Sequence, residues 1–262
     1  MPTFRHEGID LHYDVTGDGP PLMLVAGLAA DSAFYAPSLR ELGARFRVIT
    51  IDNRGAGQTA PADAPGSISA MADDCMALAA HLGIPRLSLV GHSMGGMIAQ
   101  ECALRHPHAV DRIVLAATAP HAGARNNDLF ATWAHLYPVA ERKLWFRTLF
   151  HWVLSPAFLA NRATFGALVE LAARYPYQQS ARALAQQVAA VAGFDARPNL
   201  GAIRARTLVL NGTLDLLFGA QDAAAFAAAI PGATFAPLEG LAHSFPIEAP
   251  QELTQRVIDF LA

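Results

Sequence analysis

Short apolar runs alternate with segments of helical spacing along most of the chain. The first stretch, TFRHEGIDLHYDV, alternates apolar and polar residues around Glu7-Gly8, which predicts an antiparallel hairpin. Continuous apolar runs follow, as expected of strands buried on both faces: PLMLVAG, RVITID, RLSLVG and RIVLAAT. Segments of helical spacing separate them: SLRELGARF, SISAMADDCMALAAHLGI and MGGMIAQECALRHP. The pattern predicts an α/β fold in which helices cover both faces of a mostly parallel sheet.

The alternation stops after Thr118. From about residue 119 to residue 204 the chain shows only helical patterns, and these are rich in aromatic residues. Strand patterns resume with RTLVLNG and ATFAPLE, before a closing helix in APQELTQRVIDFLA. We therefore expect a core built from residues 1–118 and 205–262, with a helical cap of residues 119–204 inserted after the sixth strand.

Composition narrows the class of protein. The chain has 262 residues, of which 53% are hydrophobic and 16% charged, and its net charge is -3. The hydrophobic content is enough for the core of one large domain. The low charged content and the negative net charge leave no basic surface for nucleic acid. No apolar stretch has signal-peptide or membrane-spanning length, so we expect a soluble, cytoplasmic protein without membrane contact. Cys75 and Cys102 lie in helical patterns and are expected to be buried thiols.

The stretch LVGHSMGGMIAQ joins a predicted buried strand to a predicted helix. Gly91 and Gly95 flank Ser93 in the pattern of a nucleophile elbow, a tight strand-turn-helix that exposes a serine hydroxyl. The turn holds Ser93 in a strained conformation, and side chains at the two glycine positions would collide with the neighbouring strand and helix. The position of the motif between a strand and a helix favours a catalytic serine.

A serine nucleophile needs a base, and the base needs a group that orients it. Asp215 follows the strand RTLVLNG and His243 follows the strand ATFAPLE, so both are expected at the same sheet edge as Ser93. The tetrahedral oxyanion also needs preorganised N–H donors. We expect these to be the backbone N–H groups of Met94, directly after the serine, and Leu28, in the loop after PLMLVAG.

The other histidines compete less well for the role of base. His92 adjoins the serine, but its side chain should diverge from that of Ser93, so it is interpreted as a packing or hydrogen-bonding neighbour. The histidines on the hairpin, at helix ends or in a loop are interpreted as solvated: His6, His12, His81, His106, His108 and His121.

A possible nucleotide signal follows the strand RVITID. The segment GAGQTA matches a dinucleotide fingerprint, but Pro61 and Pro65 prevent the immediate helix that would bind a pyrophosphate. The segment is interpreted as a loop whose turns are fixed by Asp52 and Arg54. We expect no organic cofactor.

Five stretches occur in the order found in alpha/beta hydrolases, and the chain resembles that superfamily: PLMLVAGLAAD, VITIDNRGAGQT, LVGHSMGGMIAQ, TLVLNGTLD and LEGLAHSFPIEAP. The resemblance implies the alpha/beta-hydrolase fold and a Ser-Asp-His mechanism without cofactor or metal. Within the superfamily the chain is similar to small capped esterases and to 3-oxoadipate enol-lactonases. It departs from the pattern at Ala26-Gly27, where a His-Gly pair is frequent, and this bears on the second oxyanion donor.

We predict a serine hydrolase that cleaves carboxylic esters of small, largely apolar substrates through an acyl-enzyme. Aromatic residues of the cap are expected to form an apolar pocket, with Trp133, Tyr137 and Trp152 as candidate substrate contacts. An acidic lactone would need a carboxylate clamp, for which the cap offers Arg125, Arg142, Arg147, Arg162 and Arg174. The alternatives are enol-lactone or carbon-carbon bond hydrolysis, cofactor-free haloperoxidase or perhydrolase activity, and a non-catalytic ligand receptor. The expected partner is a small-molecule ester or lactone, and a homodimer is kept as an option.

Overall fold

An eight-stranded sheet forms the centre of the molecule, and its strand order is β1-β2-β4-β3-β5-β6-β7-β8. The computed structural model describes residues 2–61, 63–64 and 66–262. The strands are β1 (Thr3–His6), β2 (Ile9–Thr16), β3 (Pro21–Val25), β4 (Arg47–Ile51), β5 (Leu87–His92), β6 (Val110–Ala116), β7 (Arg206–Gly212) and β8 (Thr234–Leu238). The first two strands pair antiparallel, and β3 to β8 run parallel. The predicted hairpin and the mostly parallel sheet are confirmed.

Helices cover both faces of this sheet, because alternate residues of each strand point to opposite sides. In β3, Leu22 and Leu24 belong to one buried cluster, whereas Met23 and Val25 belong to another. The helices of the core are α1 (Ala36–Gly43), α2 (Ile68–His81), α3 (Met94–Arg105), α9 (Ala220–Ala228), α10 (Phe245–Glu248) and α11 (Pro250–Leu261). This arrangement confirms the predicted α/β class, in its alpha/beta-hydrolase form. In the described part of the chain, no helix combines the length and apolar character needed to cross a membrane.

A helical segment lies between β6 and β7, where strand patterns are missing from the sequence. It contains α4 (Ala124–Leu136), α5 (Arg142–Val153), α6 (Pro156–Ala160), α7 (Arg162–Arg174), α8 (Ala181–Ala192) and a 3-10 helix (Arg197–Ala202). The two ends of the segment meet, since His121 and Asp195 form a β-bridge and the Ala196 N–H donates to the Pro120 carbonyl at 2.8 Å. Its role as a separate cap stays a prediction.

The loop after β4 has the structural role expected of it. The Asp52 carboxylate accepts the N–H of Gln58 at 2.8 Å, and the Asp52 carbonyl accepts the hydroxyl of Thr59 at 2.6 Å. Arg54 acts farther away, through a buried ion pair with Asp74 of α2. No helix begins before Ile68 in the described residues of this region; Pro65 lies outside them.

His12 corrects one expectation, because it is buried rather than solvated. Its Nδ1 atom lies 2.9 Å from a carboxylate oxygen of Asp52, which is also buried. A buried imidazole requires such a polar partner, and the partner comes from the loop after β4, which is distant in sequence. The predicted burial of Cys75 and Cys102 is confirmed, and both are free thiols.

Candidate active site

Ser93 lies in the turn between β5 and α3 and has a strained backbone. Its φ of 54° and ψ of -118° put it among the positive-φ conformations that residues with side chains rarely adopt. Two hydrogen bonds to the segment that ends β6 hold it there: the Ser93 N–H donates to the Ala116 carbonyl at 2.9 Å, and the Thr118 hydroxyl donates to the Ser93 carbonyl at 2.7 Å. The surrounding structure therefore imposes this geometry, as a nucleophile elbow requires.

The glycines around Ser93 are required by close backbone contacts. A side chain at Gly91 would overlap the carbonyl of Gly95, and one at Gly95 would overlap the carbonyl of Val25 in β3. A Cβ atom at Gly27 would come 3.0 Å from the Cβ of Ser93. Collision with the neighbouring helix and strand is thus the reason for the two elbow glycines, as the sequence predicts, and the loop after β3 lies directly against the serine.

Asp215 and His243 are joined by a hydrogen bond of 2.9 Å between a carboxylate oxygen and Nδ1, and both residues are buried. The other Asp215 oxygen accepts the N–H groups of Leu217 at 2.7 Å and Phe218 at 3.0 Å. Because a carboxylate only accepts hydrogen bonds, Nδ1 of His243 carries the proton and Nε2 is left as a base. The loop after β7 therefore fixes the carboxylate, and the carboxylate fixes the imidazole.

His92 holds the segment that carries His243. Its Nε2 atom donates to the backbone carbonyl of His243 at 2.9 Å, and its ring lies 4.6 Å from that of Phe34. Burial lowers the pKa of His92 to about 3, and the nearby His243 contributes further in the same direction. His92 is therefore neutral at physiological pH and acts as a structural donor, which agrees with its expected role as a hydrogen-bonding neighbour.

A cavity of about 250 Å³ contains Ser93 and His243 in its wall. The helices between β6 and β7 supply most of its aromatic lining, namely Phe130, Trp133, Tyr137, Trp145, Phe146 and Phe150. The cavity is slightly smaller than most ligand pockets, which measure about 300–1,000 Å³, so a small and mostly apolar substrate fits it best.

The cavity lining bears on two suggestions from the sequence, and the substrate contacts themselves stay predictions. Trp133 and Tyr137 line it, but Trp152 does not; the Trp152 ring instead lies under the Arg125 guanidinium, 5.4 Å from its centre. Among the described residues of the lining there is neither arginine nor lysine, so none of the five candidate arginines is placed to clamp a carboxylate. Arg142 and Arg147 lie instead over the rings of Tyr137 and Phe165.

The proposed oxyanion donors flank the serine on two sides. Met94 opens α3, and Leu28 follows Gly27 in the cavity wall. The hydrogen bonds between described residues include none donated by either N–H. Their role as oxyanion donors stays a prediction.

Asp31 and Tyr175 also line the cavity, although their side chains were not selected from the sequence. Burial raises the pKa of Asp31, while the nearby Tyr175 hydroxyl acts against this. The sequence does contain a signal for Asp31, which accepts the Ala33 N–H at 3.0 Å as the N-cap of a 3-10 helix (Ser32–Tyr35). That signal predicts a turn rather than a place in the cavity. Among the described residues, no group of three or more His, Cys, Asp or Glu could hold a metal ion.

Comparison with known proteins places this geometry in context. A family model described as the alpha/beta hydrolase fold matches residues 20–250. The proposed carbamate hydrolase RutD of Variovorax paradoxus is 31% identical over 96% of this chain and 96% of its own, and that of Rhizobium rhizogenes is 29% identical over 96% and 97%. The enol-lactonase of Burkholderia xenovorans LB400 has a TM-score of 0.90 at 26% identity, covering 99% of both chains.

Proposed function

The chain belongs to the alpha/beta hydrolase fold family, and from this premise we propose that it is a serine hydrolase that cleaves carboxylic esters of small, largely apolar substrates. The observation that carries the proposal is the strained Ser93 in the same cavity as a buried His243-Asp215 pair joined at 2.9 Å. Strain of this kind is maintained where function requires it.

In the proposed reaction, the Ser93 hydroxyl attacks the carbonyl carbon of the ester while Nε2 of His243 takes its proton. The negative charge that develops on the carbonyl oxygen is stabilised by the N–H groups of Met94 and Leu28. Asp215 holds the imidazole in the required tautomer and stabilises the imidazolium. His243 then gives its proton to the leaving alcohol, and an acyl-enzyme remains.

Water completes the cycle. His243 removes a proton from the water molecule that attacks the acyl-enzyme, and the acid leaves as Ser93 regains its proton. The helices between β6 and β7 act as a cap in this proposal, because their aromatic side chains form the apolar part of the cavity and exclude water from the acyl group.

Lactone or carbamate hydrolysis is the second candidate and uses the same residues. It is favoured by the likeness to a solved enol-lactonase and to RutD proteins, each similar to this chain over almost its whole length. A ring ester or a carbamate presents the same kind of carbonyl carbon to Ser93. The candidates therefore differ in the group beside the carbonyl, and product analysis on a matched panel of esters, lactones and carbamates separates them.

The test of the proposal is removal of the serine hydroxyl. We expect Ser93→Ala to lower kcat/KM for p-nitrophenyl butyrate by at least about a thousandfold, since the remaining groups cannot form an acyl-enzyme. The control is Ser69→Ala, which removes an exposed hydroxyl on α2. A fluorophosphonate should label the wild type at Ser93, as read by mass spectrometry of the peptide. Unchanged turnover in Ser93→Ala would refute the proposal.

A further inference from the structure

One wall of the cavity continues from the serine to a carboxyl group. Residues Gly27 to Asp31 all line the cavity, and Asp31 is buried except for a small accessible surface. Gly27 is packed against Ser93 at the start of this wall. Because Ser93 and Asp31 line the same cavity of about 250 Å³, an acyl chain attached to the serine shares that small space with the Asp31 carboxyl.

A second acid lies close to Asp31. The Asp52 carboxylate accepts the N–H of Ser32 at 2.9 Å, so a second acid lies directly behind Asp31. Its neighbour His12 is already hydrogen-bonded to Asp52 at 2.9 Å. In the cavity, the lining among described residues contains no arginine or lysine that could balance Asp31. An anion in this part of the cavity would therefore meet a carboxyl group and no cation.

Asp31 still has room for a ligand. One of its oxygens accepts the Ala33 N–H at 3.0 Å, and the Tyr175 hydroxyl lies nearby in the cavity wall. A carboxylate can accept about four hydrogen bonds. The remaining acceptor positions, together with the accessible surface of Asp31, suit an added donor from a bound molecule.

We propose that Asp31 determines substrate specificity by favouring acyl groups whose far end is neutral or carries a hydrogen-bond donor, such as a hydroxyl or ammonium group, and by excluding acyl groups that end in a carboxylate. The inference rests on the proposed ester hydrolysis and names its substrate class. It separates this chain from hydrolases of acidic lactones, because such a substrate would bring its own carboxylate into the cavity.

The experiment compares three esters with chains of similar length. They are p-nitrophenyl hexanoate, which ends in a methyl group, mono-p-nitrophenyl adipate, which ends in a carboxylate, and p-nitrophenyl 6-aminohexanoate, which ends in an ammonium group. For the wild type we expect kcat/KM for the adipate ester to be at least about tenfold below that for the hexanoate ester. The aminohexanoate ester should match or exceed the hexanoate ester.

The variant Asp31→Asn removes the charge and keeps an amide oxygen that can accept the Ala33 N–H. We expect it to raise the adipate-to-hexanoate ratio of kcat/KM by about tenfold and to lower the aminohexanoate-to-hexanoate ratio. The control Asp222→Asn makes the same charge change at an exposed position of α9 and should leave both ratios unchanged. A purely structural role for Asp31 would change all three esters by the same factor, and that result would overturn the inference.

Failure of the underlying activity can be told apart from failure of the specificity. If Ser93→Ala still turned over the hexanoate ester, the proposed function would be wrong. Calorimetry of the binding of hexanamide and of adipate monoamide to Ser93→Ala measures the preference between a methyl and a carboxylate chain end without turnover. We expect weaker binding of the adipate monoamide, and equal affinities would overturn the role of Asp31 whatever the reaction is.

Discussion

The buried imidazole of His92 makes a sharp prediction about stability at acidic pH. The perturbation is His92→Gln, which removes the titrating ring and keeps an N–H donor that can reach the His243 carbonyl. In the folded wild type, burial lowers the pKa of His92 from 6.5 to about 3. In the unfolded chain the ring is hydrated and takes up a proton as the pH falls below about 6.5.

The direction in which stability changes with pH follows from this difference in proton uptake. The unfolded state binds more protons than the folded state between pH 6.5 and pH 3, so stability is lost as the pH falls through that window. Between pH 7 and pH 5 the loss from this one ring is about 2 kcal/mol, and by pH 4 it is about 3 kcal/mol. At pH 5 the folded protein has hardly begun to protonate His92, so the magnitude there is determined by the unfolded chain.

Urea unfolding at pH 7 and pH 5 measures the effect. We expect the free energy of unfolding of the wild type to fall by about 2 kcal/mol more than that of His92→Gln between the two pH values. His108→Gln, which removes an exposed imidazole, should retain the wild-type dependence. If His92→Gln and the wild type lost stability in parallel, His92 would have to accept a proton in the folded state, and the reasoning from its burial would be refuted.

Three further predictions concern the elbow and the cavity wall. Gly95→Ala should lower the free energy of unfolding in urea by at least about 3 kcal/mol, because the methyl group overlaps a backbone carbonyl of β3. Gly166→Ala is the control: an added Cβ meets no atom there, so the change should be neutral or stabilising. Thr118→Val should lower the free energy of unfolding by about 1 kcal/mol, because it removes the hydrogen bond to the Ser93 carbonyl. The same change at the exposed Thr148 should lower it by less. Equal losses would contradict a role of Thr118 in holding the elbow. Asp31→Asn should gain stability relative to the wild type as the pH rises from 3.8, because the raised pKa of Asp31 means that its ionised form is unfavourable in the folded protein. Urea unfolding at several pH values measures this, and a pH-independent difference between the two proteins would count against it.

The parts of the fold that local pattern determines could be predicted from the sequence. Buried runs such as PLMLVAG predict the parallel strands, and helical spacing predicts α2, which begins after Ser67, whose hydroxyl accepts the Ala70 N–H at 3.1 Å. The elbow was predictable for the same reason, because its strain and its close contacts require glycine at fixed positions around Ser93. Local sequence carries these constraints directly.

Contacts between distant segments could not be predicted in this way. The burial of His12 depends on Asp52, which comes from the loop after β4, and neither residue alone indicates the pair. Helical spacing in the segment between β6 and β7 indicates an apolar face, but it does not say which aromatic residue of α5 meets the cavity, and Trp152 does not. The position of Asp31 in the cavity could not be predicted for the same reason, since its sequence context indicates only the turn that it caps.

The joined ends of the helical segment between β6 and β7 bear on how this protein could diversify. Because the chain leaves the sheet near Pro120 and returns beside it at Ala196, the two ends of the segment are already held together. Side chains such as Asn126 and Gln187 then attach the helices to backbone carbonyls of the core, at Leu217 and Arg54. Helices that keep these attachments can lengthen or shorten between the joined ends without moving the points where the chain enters the sheet. Replacing one contiguous stretch of sequence could thus change substrate preference, while the loops that carry Ser93, Asp215 and His243 stay unchanged.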